Sequence, residues 1–253
     1  MVRYFDINNP GYSIKCKIFT ESMRDINKVI VFMHGFGGHK DNKACEHFAE
    51  AALSKMKKAA VVIFDWPCHG TDVRKKLTLE DCDIYLTMVL DYIKDTWTDE
   101  IYAYGTSFGG YLALKYIHDH ESNPFKRIAL RCPAISIGEV MYSRILSRES
   151  AEALEKGKDV EAGFDRKVLI NKAFLDELMD KDIRKWSYLD FADDILIIHG
   201  NKDEIVSIDE SRNFCDNNVI ELIEVEDADH RFQDLNKMKL AHSHMIDFYT
   251  GKI

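Results

Sequence analysis

The residues most able to do chemistry in this sequence are Gly105-Thr106-Ser107-Phe108-Gly109, a G-x-S-x-G that follows the apolar run Ile101-Tyr102-Ala103-Tyr104 and leads into the helical pattern Tyr111-Leu112-Ala113-Leu114. A sharp strand-to-helix turn needs small flanking residues, and it lifts the serine hydroxyl above the sheet edge with a helix N-terminus beneath it. A serine hydroxyl is a weak nucleophile until a base takes its proton, and the base needs an acid to fix its tautomer and orientation. On a sheet built around such a turn the partners follow in the order Ser, acid, His. Asp203 fits the acid: Ile195-Leu196-Ile197-Ile198 reads as a buried strand, and His199-Gly200-Asn201-Lys202-Asp203 is the loop at its end, where sheets of this type hold their working groups. His230 fits the base, lying after Ile220 to Val225 and directly before the last helix. Asp193 and Asp194 precede their strand and fall at its opposite end, and Glu204 points elsewhere if Asp203 points in. Asp227 and Asp229 stay open as groups that orient His230 locally.

A second glycine cluster, His34-Gly35-Phe36-Gly37-Gly38, follows the strand Val29 to Met33 and precedes a helix. From that position a backbone N–H joins the N–H of the residue after the nucleophile to hold an oxyanion, which assigns the donors to the main chain of Phe36 and Phe108. The same glycines do not make a phosphate loop, because G-x-x-x-x-G-K-[ST] is absent and the final spacing of G-x-G-x-x-G is missing. Cys45-Glu46-His47 is a sequential triplet and HExxH is absent, so neither metal nor cofactor is expected. No cysteine occupies a turn of the kind around Ser107. His47, His118, His120, His242 and His244 fall in helical patterns and read as packed or solvated, while His39 and His69 lie in loops near the expected cleft.

The elements that must position these groups alternate between strand and helix. Val2 to Asp6 and Tyr12 to Phe19 read as a hairpin turning at Asn8-Asn9-Pro10-Gly11. Apolar runs at Val29 to Met33, Ala60 to Phe64, Ile101 to Tyr104 and Arg127 to Cys132 then alternate with helices beginning near Asp41, Thr78 and Ser107. Near-continuous apolar runs suit strands covered on both faces, as in a parallel sheet. The rhythm resumes at Ile195, with helices near Asp209 to Asp216 and Gln233 to Tyr249. The class is therefore α/β, with a mostly parallel sheet, helices on both faces and an antiparallel start. Between about 135 and 190 the chain is charged and helix-prone with no clear strand, read either as a helical cap over the sheet or as ordinary crossover helices. At 253 residues, with 46% hydrophobic and 30% charged, the chain suits a single domain over residues 1–253 that carries this insertion.

A net charge of −9 repels phosphate backbones and anionic lipid, so nucleic acid and membrane are not expected as partners. Six scattered cysteines, none in a CxxC, read as free thiols in a reducing compartment, and the start of the chain lacks the apolar run of a secretory signal; a cytoplasmic location is expected.

Taken together the motifs resemble the α/β-hydrolase superfamily along nearly the whole chain: His34-Gly35-Phe36-Gly37-Gly38-His39, Asp65-x-x-x-His69-Gly70, Gly105 to Gly110, Cys132-Pro133-Ala134, His199-Gly200-x-x-Asp203-Glu204-x-Val206 and Asp229-His230. Within it the sequence is most similar to small bacterial feruloyl and cinnamoyl esterases, and more distantly to monoacylglycerol lipases and serine aminopeptidase-like hydrolases. It departs from the esterase pattern at Cys68, Thr106 and Asp72, where Gly, His and Ser are common. The resemblance implies an α/β-hydrolase fold and a serine hydrolase acting on small acyl or aryl esters by an acyl-enzyme route. Ser107, Asp203 and His230 would be its triad, Phe36 and Phe108 its oxyanion donors, and a small-molecule ester its partner, in a monomer or a homodimer. By analogy the cap residues Met141, Tyr142, Ile145, Phe164 and Trp186 would line the substrate pocket. A peptidase or amide hydrolase with the same triad is the competing expectation, with Glu139, Glu149, Glu152 or Glu155 as the group that recognises a substrate amine. A non-catalytic binding protein of the same fold is a third.

Overall fold

A computed structural model of the chain describes residues 1–164 and 166–253. Its hairpin joins β1 (Val2–Asn9) to β2 (Tyr12–Thr20), with Asn9 paired to Tyr12 across Pro10-Gly11. Proline fixes a negative φ and Gly11 takes φ +83°, the combination that a type II turn requires. The strands β3 (Lys28–Met33), β4 (Ala59–Phe64), β5 (Ile101–Thr106), β6 (Ile128–Arg131), β9 (Ile195–Gly200) and β10 (Glu221–Val225) complete an eight-stranded sheet in the order β1-β2-β4-β3-β5-β6-β9-β10. The β1–β2 and β2–β4 pairs are antiparallel and all later ones parallel.

Strand periodicity decides which side chains serve which layer. In β3, Val29, Val31 and Met33 join the apolar cluster on one face, and Ile30 and Phe32 the cluster on the other. The first cluster is covered by α2 (Leu79–Thr96), α3 (Phe108–Asp119) and α7 (Ile208–Asn218), the second by α1 (Lys43–Lys55) and α8 (Leu235–Tyr249). Each fully buried Val, Ile or Phe contributes about 1.5–3 kcal/mol, so both faces bind the sheet to the helices that cover it. Helix starts are fixed locally: Asn42 Oδ1 accepts from Ala44 and Cys45 N–H, and Thr78 Oγ1 from Asp81 N–H.

Between β6 and β9 the chain runs through α4 (Ile137–Val140), a π-helical turn Met141–Ile145, α5 (Arg148–Glu155), β7 (Val160–Ala162), β8 (Val168–Ile170) and α6 (Lys172–Asp180). The expectation of no strand in this segment is corrected: β7 and β8 pair antiparallel, with Val160 opposite Ile170 and Ala162 opposite Val168. Three residues are too few to display an alternation in sequence, so only the pairing partner reveals them. Among the described residues the six cysteines are free, and no helix is long and apolar enough to cross a membrane.

Candidate active site

Ser107 sits between β5 and α3 with φ +50° and ψ −116°, a conformation that non-glycine residues adopt only when their surroundings enforce it. Those surroundings are main-chain bonds. Ser107 N–H donates to Arg131 O on β6, and Ser107 O accepts from Gly110, Tyr111 and Ala134 N–H. The flanking glycines are steric necessities: a Cβ on Gly109 would stand 2.2 Å from Met33 O, and one on Gly105 2.8 Å from Gly110 Cα. The G-x-S-x-G pattern is thus the imprint of two close backbone approaches and one strained serine.

The loop after β9 carries Asp203, whose carboxylate is fully enclosed. Its Oδ1 accepts from Ile205 and Val206 N–H at 2.9 and 2.8 Å. Its Oδ2 meets His230 Nδ1 at 2.7 Å and His199 Nε2 at 3.1 Å. Burial alone would raise this carboxyl's pKa, but hydrogen bonds from His199, His230 and Val206, with the charge of His230, hold it well below the ordinary carboxylate range. The carboxylate therefore claims the Nδ1 proton of His230 and leaves Nε2 as the basic nitrogen. Asp229 accepts from Gln233 N–H instead, and Glu204 Oε2 from His230 N–H at 3.4 Å, so neither takes the imidazole.

His199 is a functional contributor the sequence reading passed over. Its ring is fully buried, and Nε2 faces two acceptors, Asp203 Oδ2 and Val206 O, which places a proton there. Nδ1 pairs with Ser211 Oγ at 2.8 Å. Its signal in the sequence was the motif His199-Gly200-x-x-Asp203, which sets it four residues before the acid. Cys132, Asp203 and His230 also bring ligand-type atoms within 4.8 Å of one another. That trio does not suit a cation, because burial pushes the Cys132 thiol well up and His230 Nδ1 is already bound to Asp203.

On the opposite side, the N–H groups of Phe36 and Phe108 have no acceptor among the described residues. The loop bearing Phe36 rests on buried imidazoles. His34 Nδ1–H donates to Gly35 O at 2.9 Å and its Nε2 accepts from Trp66 N–H at 3.4 Å. Burial, then the neighbouring His69, lowers His34 to about 3; burial lowers His69 to about 4. A buried carboxylate pins the loop's far end: Asp65 accepts from Lys40 N–H at 2.6 Å, Lys40 Nζ at 3.0 Å and Thr71 N–H at 2.9 Å.

Ser107, Phe36 and His230 face one cavity of about 450 Å3. Ser107 Oγ has no hydrogen bond to the imidazole among the described residues; such contacts characteristically tighten only once substrate is bound. Met141, Ile145 and Phe164 line the same cavity. Tyr142 and Trp186 do not, which corrects two expectations. The Tyr142 hydroxyl reaches Glu155 at 3.5 Å, because successive residues of the π-helical turn point different ways, and Trp186 lies flat on His118 with ring centres 3.8 Å apart. Arg131, Arg166, Arg231, Asn42 and Ile205 also form the wall and went unforeseen, since an isolated Arg after a strand or in a loop reads as solvated surface. None of the four glutamates considered for amine recognition lines it: Glu139 pairs with Arg184, Glu152 with Arg148 and Glu155 with Lys172, and Glu149 is exposed.

The pattern of the family described as Serine aminopeptidase, S33, matches residues 24–184. Among solved structures, Est1E from Butyrivibrio proteoclasticus with ferulic acid bound superposes with a TM-score of 0.79 at 18% identity, over 98% of each chain. A soluble variant of monoglyceride lipase from Saccharomyces cerevisiae, in complex with a substrate analogue, gives 0.76 at 14% identity over 99% of this chain and 95% of that one. Mouse alpha/beta hydrolase domain-containing protein 10 gives 0.73 at 17% identity over 99% and 100%. No curated protein sequence matches the chain.

Proposed function

The chain belongs to the serine aminopeptidase S33 family of α/β-hydrolases, and from that membership and the site's geometry we propose that it hydrolyses carboxylic esters through an acyl-enzyme on Ser107. The observation that carries this reading is the fully enclosed Asp203 carboxylate 2.7 Å from His230 Nδ1, with His230 and Ser107 on one cavity wall. In the first half-reaction His230 Nε2 takes the proton of Ser107 as Oγ attacks the ester carbonyl, and the N–H groups of Phe36 and Phe108 receive the oxyanion. Collapse of the adduct expels the alcohol with the proton from His230. Water then enters, loses a proton to Nε2, and releases the acid from Ser107.

Ester rather than amide substrates are favoured by the wall's chemistry. An aminopeptidase must hold a substrate ammonium, and no described carboxylate lines the cavity, whereas three arginines do. Two of the similar structures carry a ligand, one ferulic acid and one a lipase substrate analogue, and both are consistent with an ester. A fluorophosphonate should label Ser107 in the folded protein, and 4-nitrophenyl acetate should be turned over while an aminoacyl anilide is not. Ser107→Ala should lower kcat by about 10⁴-fold or more. Anilide turnover above ester turnover would overturn the substrate assignment; absence of labelling would overturn the mechanism.

A further inference from the structure

A guanidinium stays protonated at every pH at which proteins fold, so an arginine buried without a counter-charge carries a desolvation penalty its own fold has not offset. Arg131 is such a residue. It ends β6 opposite Thr106, the neighbour of the nucleophile, is 7% exposed, and lines the cavity that Ser107 and His230 share. One terminal nitrogen donates to Met238 Sδ at 2.9 Å, and the guanidinium stands over the Phe232 ring at 5.3 Å. Its buried Nε–H has no acceptor. Among the described residues no carboxylate pairs with it, whereas Arg74, Arg148, Arg184 and Arg212 each have one. A thioether and a ring face are weak partners beside a carboxylate, which binds a guanidinium through two parallel charge-assisted hydrogen bonds.

The surroundings extend the same sign. Arg166 also lines the cavity and no described Asp or Glu does, in a chain whose net charge is −9. Low-dielectric walls concentrate the field of such a cluster inside the cleft and draw anions towards it.

We propose that Arg131 anchors an anionic group of the substrate, so that the preferred substrates are esters bearing a free carboxylate. The inference rests on the ester-hydrolase reading and adds the substrate class to it. A carboxylate that enters the cavity meets the guanidinium where it forms the wall and offsets the penalty of the buried cation, while a neutral ester of the same size leaves that charge unmatched.

Matched ester pairs test it. On the acyl side, monoethyl hexanedioate is compared with ethyl hexanoate; on the alcohol side, 4-acetoxyphenylacetate is compared with its primary amide. The native enzyme should show a kcat/KM at least about tenfold higher for the carboxylate member of one pair. That ratio should fall to about one in Arg131→Met and take an intermediate value in Arg131→Lys, which keeps the charge but not the planar fork. Equal rates within both pairs in the native enzyme, or a preference that survives in Arg131→Met, would overturn the proposal. The native ratio and Arg131→Lys decide the matter if Arg131→Met does not fold. Hydrolysis of neutral esters without preference defeats this inference alone; no hydrolysis of any ester together with no labelling of Ser107 defeats the underlying reading as well.

Discussion

Lys40 and Arg131 are both cations buried at the end of the sheet where the strands give way to the active-site loops, each 7% exposed, and they are held in opposite ways. Lys40 Nζ lies 3.0 Å from the buried Asp65 carboxylate and 2.7 Å from Thr71 Oγ1, which itself donates to Asp65. Every charge in that knot is matched within the fold, and it binds the loop of Phe36 to the loop after β4. Arg131 has a sulfur, a ring face and an unused Nε–H. A buried charge that the fold completes is a structural tie; one that the fold leaves incomplete retains its affinity for whatever enters the cavity.

The comparison can be broken at several points. Asp203 is a third enclosed charge, matched like Asp65 but by the imidazole that does the proton transfer. Asp203→Asn should therefore lower kcat by about 10⁴-fold with the folded structure kept, since the amide permits the wrong tautomer of His230. Steady-state rates with circular dichroism check it, and a loss below tenfold would place the orienting acid elsewhere. Lys40→Met should come next, leaving Asp65 charged and unpaired at a cost of about 3–5 kcal/mol in urea unfolding.

Acid should act through buried imidazoles, two in these loops and one on α8, rather than through either cation. His34, His69 and His242 have folded pKa values lowered to about 3, 4 and 3, chiefly by burial. Below the unfolded value of about 6.5 the unfolded chain takes up protons that the folded one refuses, so stability falls as pH drops towards 4. Each such histidine contributes a slope of about 1.4 kcal/mol per pH unit. Asp203, depressed in the fold, adds stability that is present above about pH 4 and lost as pH falls below it. Urea midpoints between pH 7 and 4.5 measure this, and a flat profile would contradict it. The smallest effect belongs to Arg131→Met, expected within about 1 kcal/mol of the native protein or above it. A loss as large as that of Lys40→Met would make Arg131 a structural tie and dissolve the contrast.

Much of the fold was legible because its signals are short-ranged. The apolar runs of β3, β4 and β5 alternate between two buried layers, and the helix expected from about Asp41 begins at Lys43, where Asn42 caps it. Asp203 could be placed from its position after a strand, although Asp227 and Asp229 are closer to His230 along the chain. The insertion was less legible. Met141 and Ile145 reach the cavity while Tyr142 between them turns to Glu155, a consequence of one π-helical turn that composition does not announce. Trp186 was expected over the substrate because it is large and apolar, and it stacks on His118 instead.

The amino-acid order by itself determined the strained turn at Ser107, the glycines that permit it, and the succession of nucleophile, acid and base, because steric limits and element periodicity act over a few residues. Only the tertiary structure decided which charges meet. That Lys40 finds Asp65 across 25 residues and that Arg131 finds Met238 across 107 follows from how separate loops and helices close over the sheet. Helix-spaced pairs such as Arg148 and Glu152 can be read from local sequence, but whether a cation buried under separate loops is neutralised is a property of distance in space.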